Sequence, residues 1–337
     1  MQSGSESAIV AAPSCPKKMI FGPCGGVRAD GSCEMAPRPC VFVDLVDQEP
    51  TSWSLASPAS VPAPLVLTDL STPAADSATL TATAQILAPS CDAVLVGDHQ
   101  DRPDFPPSLL ARMIADCGVH PWVTLACRDR NRIVLEQELH GLSYDALATV
   151  LCVTGDGRAF DVRPDITQVF DLDGTRLAAL ARSMGLPVAV PEAPNAPPVE
   201  LRPARLVQKQ RAGAGIAVLN HVRSAVDVER FVTAARSLGL SIPIVAAVAV
   251  FTDDRSAAVL TALPGLEIDP SAVEAVISAA DPVAAGIEMA LSEARSLLAI
   301  EGVAGVNLSG MASSRGTAYA AGVQAEIGHR IHTEIRG

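Results

Sequence analysis

The chain has 337 residues, 49% apolar and 18% charged, with a net charge of −12. That composition fits one large domain or two smaller ones with a sizeable core, and the acidic balance, spread along the chain, excludes a basic nucleic-acid footprint. No apolar stretch approaches the ~20 residues of a membrane span. The opening MQSGSESAIVAAPSCPKK has neither a positive n-region nor a long apolar stretch, so a cytoplasmic protein without membrane or nucleic-acid partners is expected. In that compartment the eight Cys read as thiols or metal ligands rather than disulfides.

The first 62 residues are rich in Pro and Gly, show little periodicity and hold Cys15, Cys24, Cys33 and Cys40 at a C-x8-C-x8-C-x6-C spacing. They read as a small, loop-rich module of its own. Four thiolates in a short segment without a core suggest a metal site, with zinc the first expectation and an iron–sulfur cluster its rival. The plainer alternative is four reduced thiols in a structured extension. Cys91, Cys117, Cys127 and Cys152 lie in apolar surroundings and read as small buried residues.

From residue 63 to 337 a unit recurs. Apolar, strand-like runs occupy 64–69, 93–98, 121–126, 148–156, 187–192, 215–221, 243–251 and 305–310. Helix-like segments such as PSLLARMIADCG, GTRLAALARSMG and DVERFVTAARSLG separate them, several closing on Gly. Most steps are about 30 residues, one βα unit. The runs are continuously apolar rather than alternating, as parallel strands covered by helices require. Eight units predict an α/β fold, a (β/α)8 TIM barrel, whose usual size is roughly 250 residues. A doubly wound sheet is the rival, disfavoured because no Gly-rich fingerprint follows the first strand.

In such a barrel the active site is built from the strand ends and the loops after them. The strand ends carry Thr68-Asp69, Gly97-Asp98, Cys127-Arg128-Asp129, Gly155-Asp156, Glu192, Asn220-His221 and Ser309. Any one of these is better read as a cap or a solvated loop residue; the ring of them is an active-site pattern.

Five stretches in barrel order, CRDRN (127–131), LCVTGD (151–156), VFDLDG (169–174), AGAG (212–215) and LPGLEIDPSAVEAVISAADPVAAGIEMA (263–290), resemble the methylenetetrahydrofolate reductase family. The resemblance implies reduction of 5,10-methylenetetrahydrofolate to 5-methyltetrahydrofolate by NADH or NADPH, NADH favoured, usually through FAD in the barrel mouth. It places the chain in one-carbon metabolism and methionine biosynthesis. Asp156 matches the family's aspartate near the pterin, and a carboxylate there can stabilise the iminium cation. Asp69 stands where the family has a glutamate, and its shorter reach suggests proton delivery through water. Asn220 stands where a glutamine binds the pterin, and Lys209 matches a flavin-contacting lysine. With Lys209, the residues Gly97, Thr124, Arg128, Asp129, Thr154 and Gly155 form the implied cofactor-binding set; Arg128, Asp129 and Arg130 could instead brace the mouth.

Four departures bear on FAD. Gly97 replaces a threonine, Thr124 a histidine, Val190 a tyrosine and Pro194 a histidine. The resemblance with these departures implies a folate site with weak or absent FAD and direct hydride transfer. The Cys-rich module resembles one found with iron–sulfur-linked members, where it ends a partner subunit. Two further functions stay open: a non-catalytic barrel subunit or folate-binding partner, and a folate-dependent methyl-transfer barrel.

Overall fold

The computed structural model describes residues 15–43, 57–145, 148–157, 163, 165–262, 268–310 and 312–335. Parts of the expected Cys-rich module (1–14 and 44–56) and the start of the 263–290 stretch (263–267) lie outside them.

Strands and helices run in order as β1 (Leu65–Leu70), α1 (Ser77–Leu87), β2 (Ala93–Val96), α2 (Pro107–Ala115), β3 (His120–Ala126), α3 (Arg132–Asp145), β4 (Thr149–Val153), α4 (Gly174–Ser183), β5 (Val188–Glu192), α5 (Arg202–Arg211), β6 (Ile216–Leu219), α6 (Ala225–Ser237), β7 (Ile244–Val250), α7 (Asp254–Ala262), α8 (Pro270–Ile277), α9 (Pro282–Leu298), β8 (Val303–Gly310) and α10 (Thr317–Glu334). The strands are parallel and close into a barrel in sequence order, β8 pairing back onto β1. The fold is therefore the TIM barrel expected from the apolar runs. The ends differ in two informative places. β4 stops at Val153 and β6 at Leu219, so Thr154-Gly155-Asp156 and Asn220 stand just beyond the sheet. Short polar side chains start several helices by accepting from the first turn: Asp76 from Thr79, Asp173 from Arg176, Ser224 from Asp227 and Asp281 from Val283 and Ala284.

Strand alternation divides the core in two. Leu65, Leu67, Ala93, Leu95, Trp122, Leu151, Ala189, Ile216 and Val218 fill the barrel interior. Their neighbours Val66, Val94, Val123, Val150, Cys152, Val188, Val190, Ala217 and Leu219 face the helices. Both faces are apolar, which is why the strand runs are continuous in the sequence. Ala59 and Val61 pack against the interior cluster, and Ala59 N–H donates to Gly215 O at 2.9 Å. The chain just before β1 thus forms part of the barrel floor. Among the described residues no helix is long and apolar enough to cross a membrane.

Packing is close where β8 meets β1. A Cβ on Gly305 would lie 2.4 Å from Leu65 O. On Gly322, exposed in α10, it would meet nothing within 4 Å. Gly305→Ala is expected to lower stability by about 1–3 kcal/mol, whereas Gly322→Ala raises it by about 0.5–1 kcal/mol. Denaturant midpoints at constant slope check both signs; a neutral Gly305→Ala would disprove the close packing of this seam.

Candidate active site

The same alternation sets which side chains reach the mouth. Continuing the inward positions past Leu67, Leu95, Trp122, Leu151 and Val218 gives Asp69, Gly97, Thr124, Val153 and Asn220. A cavity of about 330 Å³ opens at this end, lined among others by Thr124, Arg128, Thr154, Gly155, Asp156, Lys209 and Asn220. The expected folate and cofactor residues Asp156, Asn220, Thr124, Thr154, Gly155, Arg128 and Lys209 are thereby brought together. A second cavity of about 280 Å³ adjoins it and shares Asp98, Gln100 and Thr124; Gly97 and Asp129 line this one.

Asp156 is exposed on the turn after β4 and accepts from Gln100 Nε2 at 3.3 Å. Gly155 takes φ +91°, the left-handed region that favours glycine, and a Cβ there would press on Arg128 Cβ at 2.8 Å. Thr154 Oγ1 accepts from Gly174 N at 2.9 Å, tying the turn to the start of α4.

Asp69 is not among the residues lining either cavity. It turns toward β8, accepting from Asn307 Nδ2 at 2.9 Å. Burial pushes its carboxyl above the usual carboxylate value, against the pull of the hydrogen bonds from Ser309 and Asn307.

The charged burst after β3 makes short-range pairs beside the cavities. Arg128 is buried, donates to Asp129 at 2.8 Å and to His99 O at 3.3 Å, and its carbonyl accepts from Val169 N at 2.7 Å. Arg130 donates to Asp98 at 2.5 Å, and Asn131 accepts from Val134 N at 3.0 Å in the first turn of α3. Bracing is thus the geometry seen for Arg128 and Arg130.

Lys209 does line the cavity, but its ammonium is held by Pro191 O and by Glu192 at 2.8 Å. Glu192 also faces Arg202 at 3.7 Å. Burial pushes the Glu192 carboxyl up, and Lys209 and Arg202 more than reverse this, holding it below its ordinary value. Burial pulls Lys209 below its ordinary value despite Glu192. Arg202 and Arg205, 1% and 3% exposed, line the same wall. Sequence reading missed both arginines. Their spacing with Lys209, i, i+3 and i+7 on the helix after β5, was the available signal.

The largest surprise is the Cys-rich module. Lys17, Met19, Pro23, Cys24 and Gly25 form part of the cavity wall. Arg202 and Arg205 donate to the carbonyls of Cys24 (2.9 Å) and Phe21 (2.6 Å), and Arg176 to that of Lys18 (3.0 Å). The module therefore sits on the barrel mouth rather than apart from the chemistry. Its four thiols border one small space of about 10 Å³. Yet among the described residues no three His, Cys, Asp or Glu side chains are grouped to hold a metal ion. Cys24 donates to Glu34 at 3.4 Å, and burial pushes its thiol up to about 11. The four expected ligands thus share one space, and the zinc or iron–sulfur site remains an expectation from the spacing.

The four substituted positions bring few polar groups to the mouth. Val190 lies within β5 with its side chain buried on the helix side, and Pro194 is buried. Gly97 offers no side chain; of the four, Thr124 alone presents a polar group to the cavities.

A parallel barrel with polar strand ends around a cavity at the C-terminal mouth is an enzyme-type site. The methylenetetrahydrofolate reductase family model matches residues 88–320, and a second model, "Methylene-tetrahydrofolate reductase C terminal", matches residues 4–58. The chain belongs to the methylenetetrahydrofolate reductase family. Among solved structures it is similar to an uncharacterised Clostridium thermocellum protein that binds two copies of 5-methyl-5,6,7,8-tetrahydrofolic acid, at 12% identity and TM-score 0.58, covering 80% of this chain and 96% of that one. It is also similar to the coenzyme F420 dependent tetrahydromethanopterin reductase of Methanopyrus kandleri, at 11% identity and TM-score 0.50, covering 79% and 98%. No curated protein matches the chain.

Asp69 yields a test that is independent of turnover. A carboxyl whose folded pKa is raised contributes stability that is present below its unfolded value, ~3.9, and lost as pH rises through the folded one. Asp69→Asn, which cannot ionise and can still accept from Asn307, is therefore expected to be more stable than the native protein at pH 7. The gap should close as the pH falls to about 4. Melting temperatures across that range check it, and a variant less stable at neutral pH contradicts the assignment.

Proposed function

We propose that this protein reduces 5,10-methylenetetrahydrofolate to 5-methyltetrahydrofolate with hydride taken directly from NADH, both substrates occupying the mouth together. The observation that carries the reading is the pair of adjoining cavities with Asp98, Gln100 and Thr124 in their common wall. Two sites that meet at one wall suit two molecules that exchange a hydride without an intermediary. Family membership supports the reaction, and the 5-methyltetrahydrofolic acid bound by the Clostridium thermocellum barrel supports a folate in this mouth.

The chemistry divides among the chain's own residues. Asn220, inward at the end of β6, hydrogen-bonds the pterin edge. Protonation of the ring nitrogen opens the five-membered ring to an iminium. Asp69 is the protonatable group on the β1 side, and because it stands back from the cavities a water carries its proton. Asp156 stabilises the iminium cation, an effect that grows as substrates displace water from the mouth. Hydride from the nicotinamide then adds to the methylene carbon, giving the methyl group and NAD⁺. One proton and one hydride are consumed per turnover, and the direct route supplies both, from Asp69 and the nicotinamide. Losing several FAD hydrogen bonds, at about 0.5–1.5 kcal/mol each, weakens binding by orders of magnitude.

Two measurements test this. Asp156→Asn keeps the shape and removes the charge, and is expected to lower turnover on the order of 10²-fold; a folded variant with near-normal turnover would falsify the role. The native enzyme should be colourless and oxidise NADH only when methylenetetrahydrofolate is present, with intersecting initial-rate lines. A flavin spectrum, a requirement for added FAD, or parallel lines would each refute direct transfer. NADH oxidation that the folate does not stimulate would favour the folate-binding partner instead.

A further inference from the structure

The turn that carries Asp156 is short, irregular and flanked by glycines: Thr154-Gly155-Asp156-Gly157. Such a segment has little conformational preference of its own. Two side chains of the Cys-rich module take hold of it. Lys17 Nζ donates to Gly155 O at 2.6 Å, and Glu34 Oε2 accepts from Gly157 N–H at 2.8 Å. Lys17 and Glu34 are also ion-paired with each other. The peptides on both sides of Asp156 are thus gripped by one pair of side chains.

The grip is built, not incidental. Lys17 is 3% exposed and lies 5.7 Å from the centroid of the buried Phe170 ring. A Cβ on Gly157 would lie 2.4 Å from Met35 Sδ, and one on Gly26 would overlap the Glu34 carboxylate. Both glycines are needed for the module and the turn to approach this closely. Behind the turn stand Arg128 and the hydrogen bond from Gly174 to Thr154.

We propose that Lys17 and Glu34 are positioning residues of the reductase, holding the Asp156 turn so that its carboxylate faces the folate, and that the Cys-rich module is thereby part of the working site. The inference rests on the role given above to Asp156. Electrostatic stabilisation requires a carboxylate already in place when the cation forms, and a misplacement of about 1 Å can cost on the order of 10²-fold in rate. A turn held at two peptides by one ion pair meets that requirement.

The test is a mutant cycle on the full-length protein. Glu34→Ala removes the acceptor for Gly157; Glu34→Gln keeps an acceptor and removes the charge. Each is made in the native and the Asp156→Asn backgrounds, and kcat, KM for both substrates and melting temperature are measured. Glu34→Ala is expected to lower kcat at least tenfold with smaller changes in KM, and Glu34→Gln to recover most of the loss. In the Asp156→Asn background Glu34→Ala should cost little more, because its effect runs through the missing carboxylate. A lowered melting temperature with native kcat well below it would reduce the pair to a structural role and overturn the proposal, as would equal losses in both backgrounds. If Asp156→Asn itself turns over normally, the failure lies in the role of Asp156 and the proposal goes with it. If Glu34→Ala does not fold, Lys17→Met with Glu34→Gln tests the Lys17 hold on Gly155 in the same two backgrounds, with the same outcomes expected, since removing both charges together leaves neither unpaired.

Discussion

A closed ring of parallel strands allows side chains only two directions, into the barrel or out to the helices, and they alternate. Here the lower inward positions are filled by Leu65, Leu67, Leu95, Trp122, Leu151 and Val218, which leave no path through the barrel centre. Polar groups therefore gather toward the C-terminal inward positions of the strands and on the turns after them. Asp69, Thr124 and Asn220 occupy such inward positions, and Asp156 comes three residues after β4. Closure turns eight strand ends scattered over some 240 residues of chain into one small ring, and this constraint underlies the whole site.

Placing charge in that ring sets a second condition, since each buried ion loses its water and needs a partner. The mouth meets it with local pairs: Glu192 with Lys209, Asp98 with Arg130, Arg128 with Asp129. Arg202 and Arg205, with one nearby carboxylate between them and Lys209, find carbonyl oxygens instead, and two of those belong to Phe21 and Cys24. The cationic wall thus needs the module as much as the module needs the wall. Without the module, Arg202 and Arg205 each lose one carbonyl partner.

How much of this is readable from the sequence depends on the range of each interaction. The strands are legible because burial on both faces writes them as unbroken apolar runs, and helix starts because Asp173 or Ser224 acts within three residues. Asp156 and Asn220 are legible as strand-end residues once the eight units are counted. Asp69 is legible as a mouth residue, but its withdrawal toward Asn307 depends on a side chain 238 positions away. The link from Lys17 to Gly155 spans 138 positions and that from Glu34 to Gly157 spans 123. No local pattern encodes these, because the module has no periodicity that would mark an inner face. The cysteine spacing points to metal chemistry, while Lys17, Glu34 and the carbonyls of Lys18, Phe21 and Cys24 make the contacts with the barrel.

Chain order then looks different. Lys17, Met19 and Pro23 to Gly25 line the mouth, and Ala59 lies at the floor against Gly215. The segment before β1 therefore serves both ends of the barrel. A family model named for a C-terminal region matches residues 4–58, ahead of the barrel in this chain. In this chain covalent attachment holds the module near the mouth at high effective concentration. What must be kept is the set of short-range contacts at the turn after β4, where a lysine, a carboxylate and two glycines bring module and barrel together.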